Sequence, residues 1–347
     1  MNSSHPLFQL LLSRLRTFYR EPHALFWVYG FPLIMALALG IAFANRKPEP
    51  IHIDIEAGPH AEQAQSYLAD RNVIAEIHDA ETCREHRRIG KVPLFLQFNP
   101  DGSWQFTYDE AQSEAVSARY QVDDILVRRK LGSSTGLDAA QDQLVTEKGN
   151  RYIDFFIPGL IGMNIMGGGL WGIGFVLVDM RVRKLLKRLL ATPMKRVHFL
   201  LSMLLGRMVM LIPEMTTLLL FATLVFGVPL RGDLVTLALV IITGAAAFSG
   251  IGLLVACRTD KTETVSGLMN LVMLPMWLFS GVFFSSERFP KAAQPFVQAL
   301  PLTQLNNALR EVMLEGKSLP EIAWRLGLLA AFGLVTFTLA LKWFRWQ

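Results

Sequence analysis

The side chain best placed to do chemistry is Glu214, which follows Pro213 inside an otherwise apolar run from 199 to 226. A carboxylate in such a run is costly and usually faces a cavity or a partner. Arg207 stands two turns earlier on the same helical face, so pairing through water or with a neighbouring helix is open to it. Glu214 is therefore either a structural charge, protonated or paired, or a polar contact on a solute path. Asn164 and Asn270, in two other apolar runs, would join it on such a path. A second group is glycine: Gly159, Gly162, Gly167, Gly168, Gly169, Gly172 and Gly174 crowd one run. Gly168 and Gly172 form a G-x-x-x-G pair, which lets helices approach closely in lipid. That pair suits tight packing within one subunit, or a dimer or substrate-path face. No Lys-Ser or Lys-Thr follows these glycines, and no G-x-x-x-x-G-K-[ST] loop occurs, which excludes unaided ATP hydrolysis. His52, His60, His78 and His86 read as scattered surface residues, so neither a metal set nor a catalytic cluster is expected. Two cysteines, Cys83 and Cys257, are too few for a disulfide framework.

The elements that must hold these residues are set by the hydrophobic pattern. The 347 residues are 52% hydrophobic and 18% charged with mean hydropathy +0.33, more apolar than an ordinary soluble domain. A bilayer core takes about 20 mainly apolar residues per helix. Six stretches qualify: 24–44, 153–177, 199–226, 234–256, 265–285 and 322–342. The net charge of +5 could suggest nucleic acid, but the cations flank the apolar runs and are better explained by membrane orientation. Arg14, Arg16 and Arg20 precede the first run, Arg181, Arg183, Lys184, Lys187, Arg188, Lys195 and Arg196 follow the second, and Arg258 and Lys261 follow the fourth. The link at 227–233 offers only Arg231. Both termini are thus expected in the cytoplasm, with Cys83 and Cys257 on opposite sides. Ala42-Phe43-Ala44 imitates a leader-peptidase site, but about twenty polar and basic residues precede a full-length span, so no cleavage is expected.

Residues 45–150 then lie outside and read as a folded α/β domain. Ile51 to Ile55 alternates like a half-buried strand, Pro93 to Phe98 is a second strand, and Asn99-Pro100-Asp101-Gly102 turns the chain into a third at Trp104 to Tyr108. Helices are expected near 60–71 and 112–130, and Gly132 to Gly136 reads as a flexible tether.

Inside, Met180 to Leu190 spaces apolar residues helically among cations, an amphipathic helix at the membrane surface that Thr192-Pro193 breaks. It either enforces topology alone or docks a cytoplasmic partner. His5 to Glu21 is similar, with Leu7, Leu10, Leu11, Leu15 and Phe18 on one face. Between the last two runs, 286–320 is punctuated by Pro290, Pro295 and Pro301, and Leu305, Leu309, Val312 and Met313 suggest a short apolar-faced helix.

Three stretches in this order resemble the ATP-binding-cassette type 2 permeases. Tyr152 to Gly159 resembles the family's entry into span two, Arg188 to Met194 its coupling segment, and Leu300 to Thr303 with Ala308-Leu309-Arg310 its external helix before span six. The chain departs from many relatives in carrying Asp179-Met180-Arg181 where they place Glu-Arg, and no Gly-Thr follows. The resemblance spans nearly the whole length. It implies a membrane α-helical, type V exporter-like fold of six transmembrane helices with an extracytoplasmic α/β domain inserted between spans one and two. In that scheme 1–23 is a cytoplasmic elbow helix, 24–44 the first span, 45–150 the external domain and 151–347 the remaining core. That core carries a coupling helix at 180–196 and a re-entrant external segment at 286–320. Arg188, Leu189, Leu190, Thr192 and Pro193 would dock a nucleotide-binding subunit, which supplies ATP and Mg because this chain binds no cofactor. A second permease chain, identical or not, completes the unit in a bacterial inner membrane. Apolar spans favour lipophilic cargo: a drug, lipid or glycolipid. An ion-coupled secondary transporter would favour inverted repeats and paired midplane charges, and none are evident. A polytopic receptor with an external ligand-binding domain needs fewer spans, and a membrane enzyme lacks its cluster.

Overall fold

The computed structural model describes residues 20, 22–44, 50–69, 73–99, 103–110, 112–131, 151–186 and 196–344. The chain divides into two compact units, 45–144 and the flanking 1–44 with 145–347.

The smaller unit runs β1 (Ile51–Glu56), α2 (Ala61–Leu68), β2 (Val73–His78), α3 (Ala80–Arg88), β3 (Leu94–Phe98), β4 (Trp104–Tyr108) and α4 (Ser113–Leu131); α1 (Phe31–Ala44) belongs to the other unit. Its sheet has the order β2-β1-β3-β4, with β1 parallel to β2 and β3, and β4 closing antiparallel on β3. Parallel neighbours need crossovers, and α2 and α3 supply them. Strand side chains alternate between faces. On one face Ile53, Ile55, Val73, Leu94 and Leu96 pack with Leu68 of α2 and Val122, Ile125 and Leu126 of α4. β2 and α3 were not expected from sequence. Val73 to His78 does not alternate cleanly, because Ala75 is too small to mark the buried face, and α3 has Cys83 as its one buried residue.

The larger unit is helical: α1 (Phe31–Ala44), α5 (Tyr152–Gly169), α6 (Val176–Val182), α7 (Arg196–Val225), α8 (Leu234–Ala256), α9 (Thr262–Phe279), α10 (Gln294–Ala299), α11 (Pro301–Arg310) and α12 (Leu319–Trp343). Wide π turns at Phe26–Gly30, Leu170–Phe175 and Glu311–Glu315 lead into α1, join α5 to α6 and extend α11. Helices thus occur at all six apolar stretches. Among the described residues four, Tyr152–Val182, Val197–Val225, Leu234–Ala256 and Leu319–Trp343, are long and apolar enough to cross a membrane, and Phe26–Ala42 is a shorter apolar helix. In lipid the backbone must satisfy its own hydrogen bonds, which leaves helices as the element for such runs. Their ends are set by caps. Asp233 accepts from the Thr236 N–H at 3.0 Å to start α8, and Ser318 with Glu321 forms a capping box on α12.

The central helix is α8, which packs on α5, α7, α9, α11 and α12. Gly244 admits Leu305, Gly250 meets Thr336 and the Gly333 carbonyl, and Gly252 lies against the Gly169 backbone. Leu224, Leu234, Val235, Leu271 and Leu334 point outward and are exposed, as a lipid-facing surface requires. Leu305, Leu309, Val312 and Met313 are fully buried, so the apolar face of α11 packs into the helical core.

Candidate functional site: a buried polar seam

Five polar groups sit at successive depths along the continuous helix from Tyr152 to Val182. At its start Asp154, fully buried, accepts two hydrogen bonds from the Arg151 guanidinium, Nε to Oδ2 at 2.9 Å and Nη2 to Oδ1 at 2.8 Å, and a third from the Arg151 backbone N–H at 3.2 Å. Arg151 Nη2 also donates to the Phe226 carbonyl at 2.9 Å, tying the start of α5 to the end of α7.

One turn on, a Cβ at Gly159 would come within 2.7 Å of the Val282 carbonyl and 3.2 Å of Arg310 Nη2. Arg310 lies 3.8 Å over the Phe155 ring and donates to the carbonyls of Phe155 and Gly281. At Gly162 a Cβ would overlap the side chain of Asn306, which donates to the Ser280 carbonyl at 2.9 Å.

At Gly168 a Cβ would overlap the guanidinium of Arg207. With that room Arg207 closes bidentately on Glu214, Nη1 to Oε2 at 2.7 Å and Nη2 to Oε1 at 3.1 Å, both residues buried. The pair spans two turns of α7, about 10.5 Å of rise, through extended side chains.

At the far end Arg181 is buried and donates to the carbonyls of Ala256, Cys257 and Thr259, with Asp260 at 3.7 Å. It caps the C-terminal end of α8, where a cation complements the exposed carbonyls and the helix dipole. From Gly159 to Arg181 the helix rises roughly 33 Å, close to the thickness of a hydrocarbon core.

The structure sorts the sequence expectations. Glu214 is paired directly with Arg207, not through water or a neighbouring helix. The G-x-x-x-G pair seats an arginine: Gly168 faces its guanidinium, and Gly172 has only Arg207 Cδ nearby, at 3.7 Å. Asn164, one turn before Gly168, is half-buried with Nδ2 at 3.4 Å from the Val28 carbonyl. Asn270 does not join them; it stands exposed on α9 without a side-chain hydrogen bond among the described residues. The amphipathic helix expected over 180–190 is interrupted, because α6 ends at Val182 and Lys184 takes φ +59. The docking candidates Arg188, Leu189, Leu190, Thr192 and Pro193 lie outside the described residues, as does most of 1–23.

Sequence reasoning missed Arg181 as a buried cap, having counted it among the orienting cations. Its spacing from Leu177 and Val178, both fully buried, carried the signal. It also missed that His78 and His86, read as scattered surface residues, meet at Asp54 in the α/β unit.

The described helices and their polar ties belong to a chain with known relatives. ABC transporter G family member 20 of Dictyostelium discoideum is 26% identical over 238 residues, 64% of this chain and 31% of the relative. Linearmycin resistance permease protein LnrN of Bacillus subtilis is 29% identical over 93 residues, 27% of this chain and 24% of the relative. Nodulation protein J of Rhizobium meliloti is 29% identical over 107 residues, 31% of this chain and 40% of the relative. The aligned segments thus cover less than half the length of each. Residues 23–342 match the model of the ABC-2 family transporter proteins, and because that match takes in every apolar helix, the chain belongs to this family of membrane proteins.

Proposed function

We propose that this chain is the transmembrane permease subunit of an ATP-binding-cassette exporter. The family match over residues 23–342 carries the reading. The absence of a phosphate-binding loop from the sequence supports placing ATP and Mg on a partner subunit. In this reading α1, α5 with α6, α7, α8, α9 and α12 are six spans of a bacterial inner-membrane protein. The clustered cations hold both termini in the cytoplasm and leave 45–150 extracytoplasmic. A second permease chain completes the assembly. Arg188, Leu189, Leu190, Thr192 and Pro193 dock the ATPase. The cargo is lipophilic, a drug, lipid or glycolipid, and the description of the Bacillus relative as a resistance permease supports a drug-like molecule.

Movement follows from how unevenly the helices are tied. The seam fastens α5 to α7 through Arg151 and to α11 through Arg310, and α8 to α6 through Arg181. By contrast α9 buries Met269, Met273 and Met276 at helical spacing, with the Trp171 Nε1–H donating to Met273 Sδ at 3.1 Å. Thioether contacts are soft and adaptable, so the body of α9 can pivot about its C-terminal end, which Asn306 and Arg310 hold at the Ser280 and Gly281 carbonyls, while the tied helices move together. ATP drives such a change only by binding its two states with different affinity. Glu214 and Asn164 lie near the seam and Asn270 on the mobile helix; a solute path would pass between them.

The test is to purify the chain with and without a cognate ATP-binding-cassette subunit. ATP hydrolysis and ATP-dependent export are expected only from the complex, and Leu190→Asp should abolish partner binding. Hydrolysis by the chain alone, or a Leu190→Asp protein that still binds and exports, would overturn the reading.

A further inference from the structure

The second face of the α/β sheet is largely polar, with Phe95 its buried apolar side chain. Alternation puts Asp54 and Glu56 of β1, Glu76 and His78 of β2 and Gln97 of β3 there, and the element covering it is α3, which packs on β1 and β3. A helix over such a face has little apolar area to bury; α3 itself contributes Cys83. Instead, it delivers His86 to a buried carboxylate. Asp54 is 2% exposed, with Oδ2 at 2.8 Å from His86 Nδ1 and Oδ1 at 3.9 Å from His78 Nε2. The two rings meet edge-on with centroids 5.0 Å apart, and one ligand-capable atom from each of the three residues lies within 4.8 Å of the others. Glu76 Oε2 stands 3.2 Å from His78 Nε2.

We propose that Asp54, His78 and His86 form a site for a divalent transition-metal ion, zinc foremost, with Glu76 in reach as a fourth ligand. Two imidazoles and a carboxylate suit zinc better than calcium or magnesium, which prefer all-oxygen shells. Zinc bonds of about 2.0–2.2 Å put neighbouring tetrahedral donors roughly 3.3–3.5 Å apart. The observed 2.8 and 3.9 Å, one to each carboxylate oxygen, bracket that spacing, and all three donors lie within 4.8 Å of one another, so a metal closes the site by side-chain shifts on the order of an ångström. The three ligands come from β1, β2 and α3, so an ion would clamp the crossover helix to the sheet.

Lys91 distinguishes a metal site from a plain hydrogen-bond network. Its Nζ lies 3.3 Å from His86 Nε2, and an ammonium can only donate, so Nε2 accepts and the ring proton sits on Nδ1 toward Asp54. Metal binding at Nδ1 displaces that proton, and the neutral ring then carries its one proton on Nε2, which becomes a donor, so the exposed Lys91 must swing away. Removing the lysine therefore favours the metal.

The experiment uses the full chain in nanodiscs, carrying no polyhistidine tag and stripped with a chelator. Cobalt is titrated while its d–d bands are followed, and zinc is measured by competition with a chromophoric chelator. Expected are one equivalent per chain and zinc X-ray absorption showing two imidazoles with oxygen ligands. His78→Ala and His86→Ala should each lose more than the roughly 10–100-fold that an outer-shell change costs. His60→Asn should change nothing, and Lys91→Met should bind more tightly. Failure to retain zinc against the chelator, retention insensitive to both histidines, or fewer than two imidazoles would overturn the proposal. If either histidine variant fails to fold, the absorption spectrum of the unmodified chain decides alone.

Discussion

The two units bury charge under helices in different ways. Along the Tyr152–Val182 helix the cations are arginines, always charged, answered by a carboxylate at Glu214 and by carbonyls at Arg181 and Arg310. Glycines give Arg207 and Arg310 their room. In the α/β unit the buried charge is the Asp54 carboxylate, answered by two imidazoles, which can be neutral, protonated or metal-bound. A fixed cation makes a permanent tie, and an imidazole pair makes an exchangeable one. On the proposed export cycle the first suits a spine that moves as one piece, and on the proposed metal site the second suits a place where an ion binds and leaves.

The largest expected effect tests whether the first tie is permanent. Glu214→Leu leaves the Arg207 guanidinium buried without its partner, and breaking one side of a buried pair costs about 3–5 kcal/mol. Arg207→Met should cost less, because an orphaned carboxyl can be neutralised by a proton and a guanidinium cannot. The double variant, Arg207→Met with Glu214→Leu, should recover most of the loss. Thermal unfolding in nanodiscs measures all three. A double variant as unstable as Glu214→Leu alone would show that the pair holds more than itself together.

The next effect separates the seated arginine from a helix-dimer face. Gly168→Ala drives a methyl into the Arg207 guanidinium and should cost about 1–3 kcal/mol by overpacking. Gly167→Ala, with open space around its Cβ, should be neutral or slightly stabilising because alanine favours helix. The Gly168→Ala penalty should vanish when Arg207 is already methionine, a coupling that a double-mutant cycle reads directly. A penalty that persists and tracks loss of dimer would return Gly168 to a helix–helix interface.

In the α/β unit the expected effect is smaller. His86→Gln removes one hydrogen bond to Asp54 and should lower stability by about 1 kcal/mol, measured by hydrogen exchange over β1 and α3. A loss as large as that of Glu214→Leu would make the imidazole cluster a structural tie like the arginine seam and erase the contrast.

How much of this was legible in sequence follows from the range of each signal. The apolar runs, the β3 and β4 strands and the charge at Glu214 are local patterns, and each appears in the structure where the sequence puts it. The partners are not local. Gly168 and Gly172 read as a helix-packing pair, because nothing near them in sequence announces that a side chain 39 residues away fills the hollow. Asp54, His78 and His86 lie on three elements, and β2 and α3, which bring two of them in, were themselves not expected. The alternation on β1 reads as a half-buried strand, but the crossover helix lies over its polar face as well.

The smallest effect concerns a cluster that is neither as buried as the seam nor as open as the imidazoles. Glu311 accepts from Arg325 Nη2 at 2.9 Å and Nε at 3.0 Å, and Lys317 Nζ lies at 3.2 Å. Burial pushes its carboxyl up, but the hydrogen bonds from Arg325 and Lys317 outweigh burial and hold it below its ordinary value of 4.5. A carboxyl depressed in the folded state adds stability that is complete above its unfolded value. That contribution shrinks as pH falls through the folded one and is gone below it. Melting temperature against pH should therefore drop on the acid side in the unmodified chain and drop less in Glu311→Gln. The difference should be modest, since solvent screens part of the network. Identical acid limbs would mean that Glu311 serves to orient Arg325, which also donates to Gln304 Oε1, and does not act as a titrating tie. That outcome would place Glu311 with the fixed contacts of the arginine seam, and so strengthen the contrast between fixed and exchangeable charge.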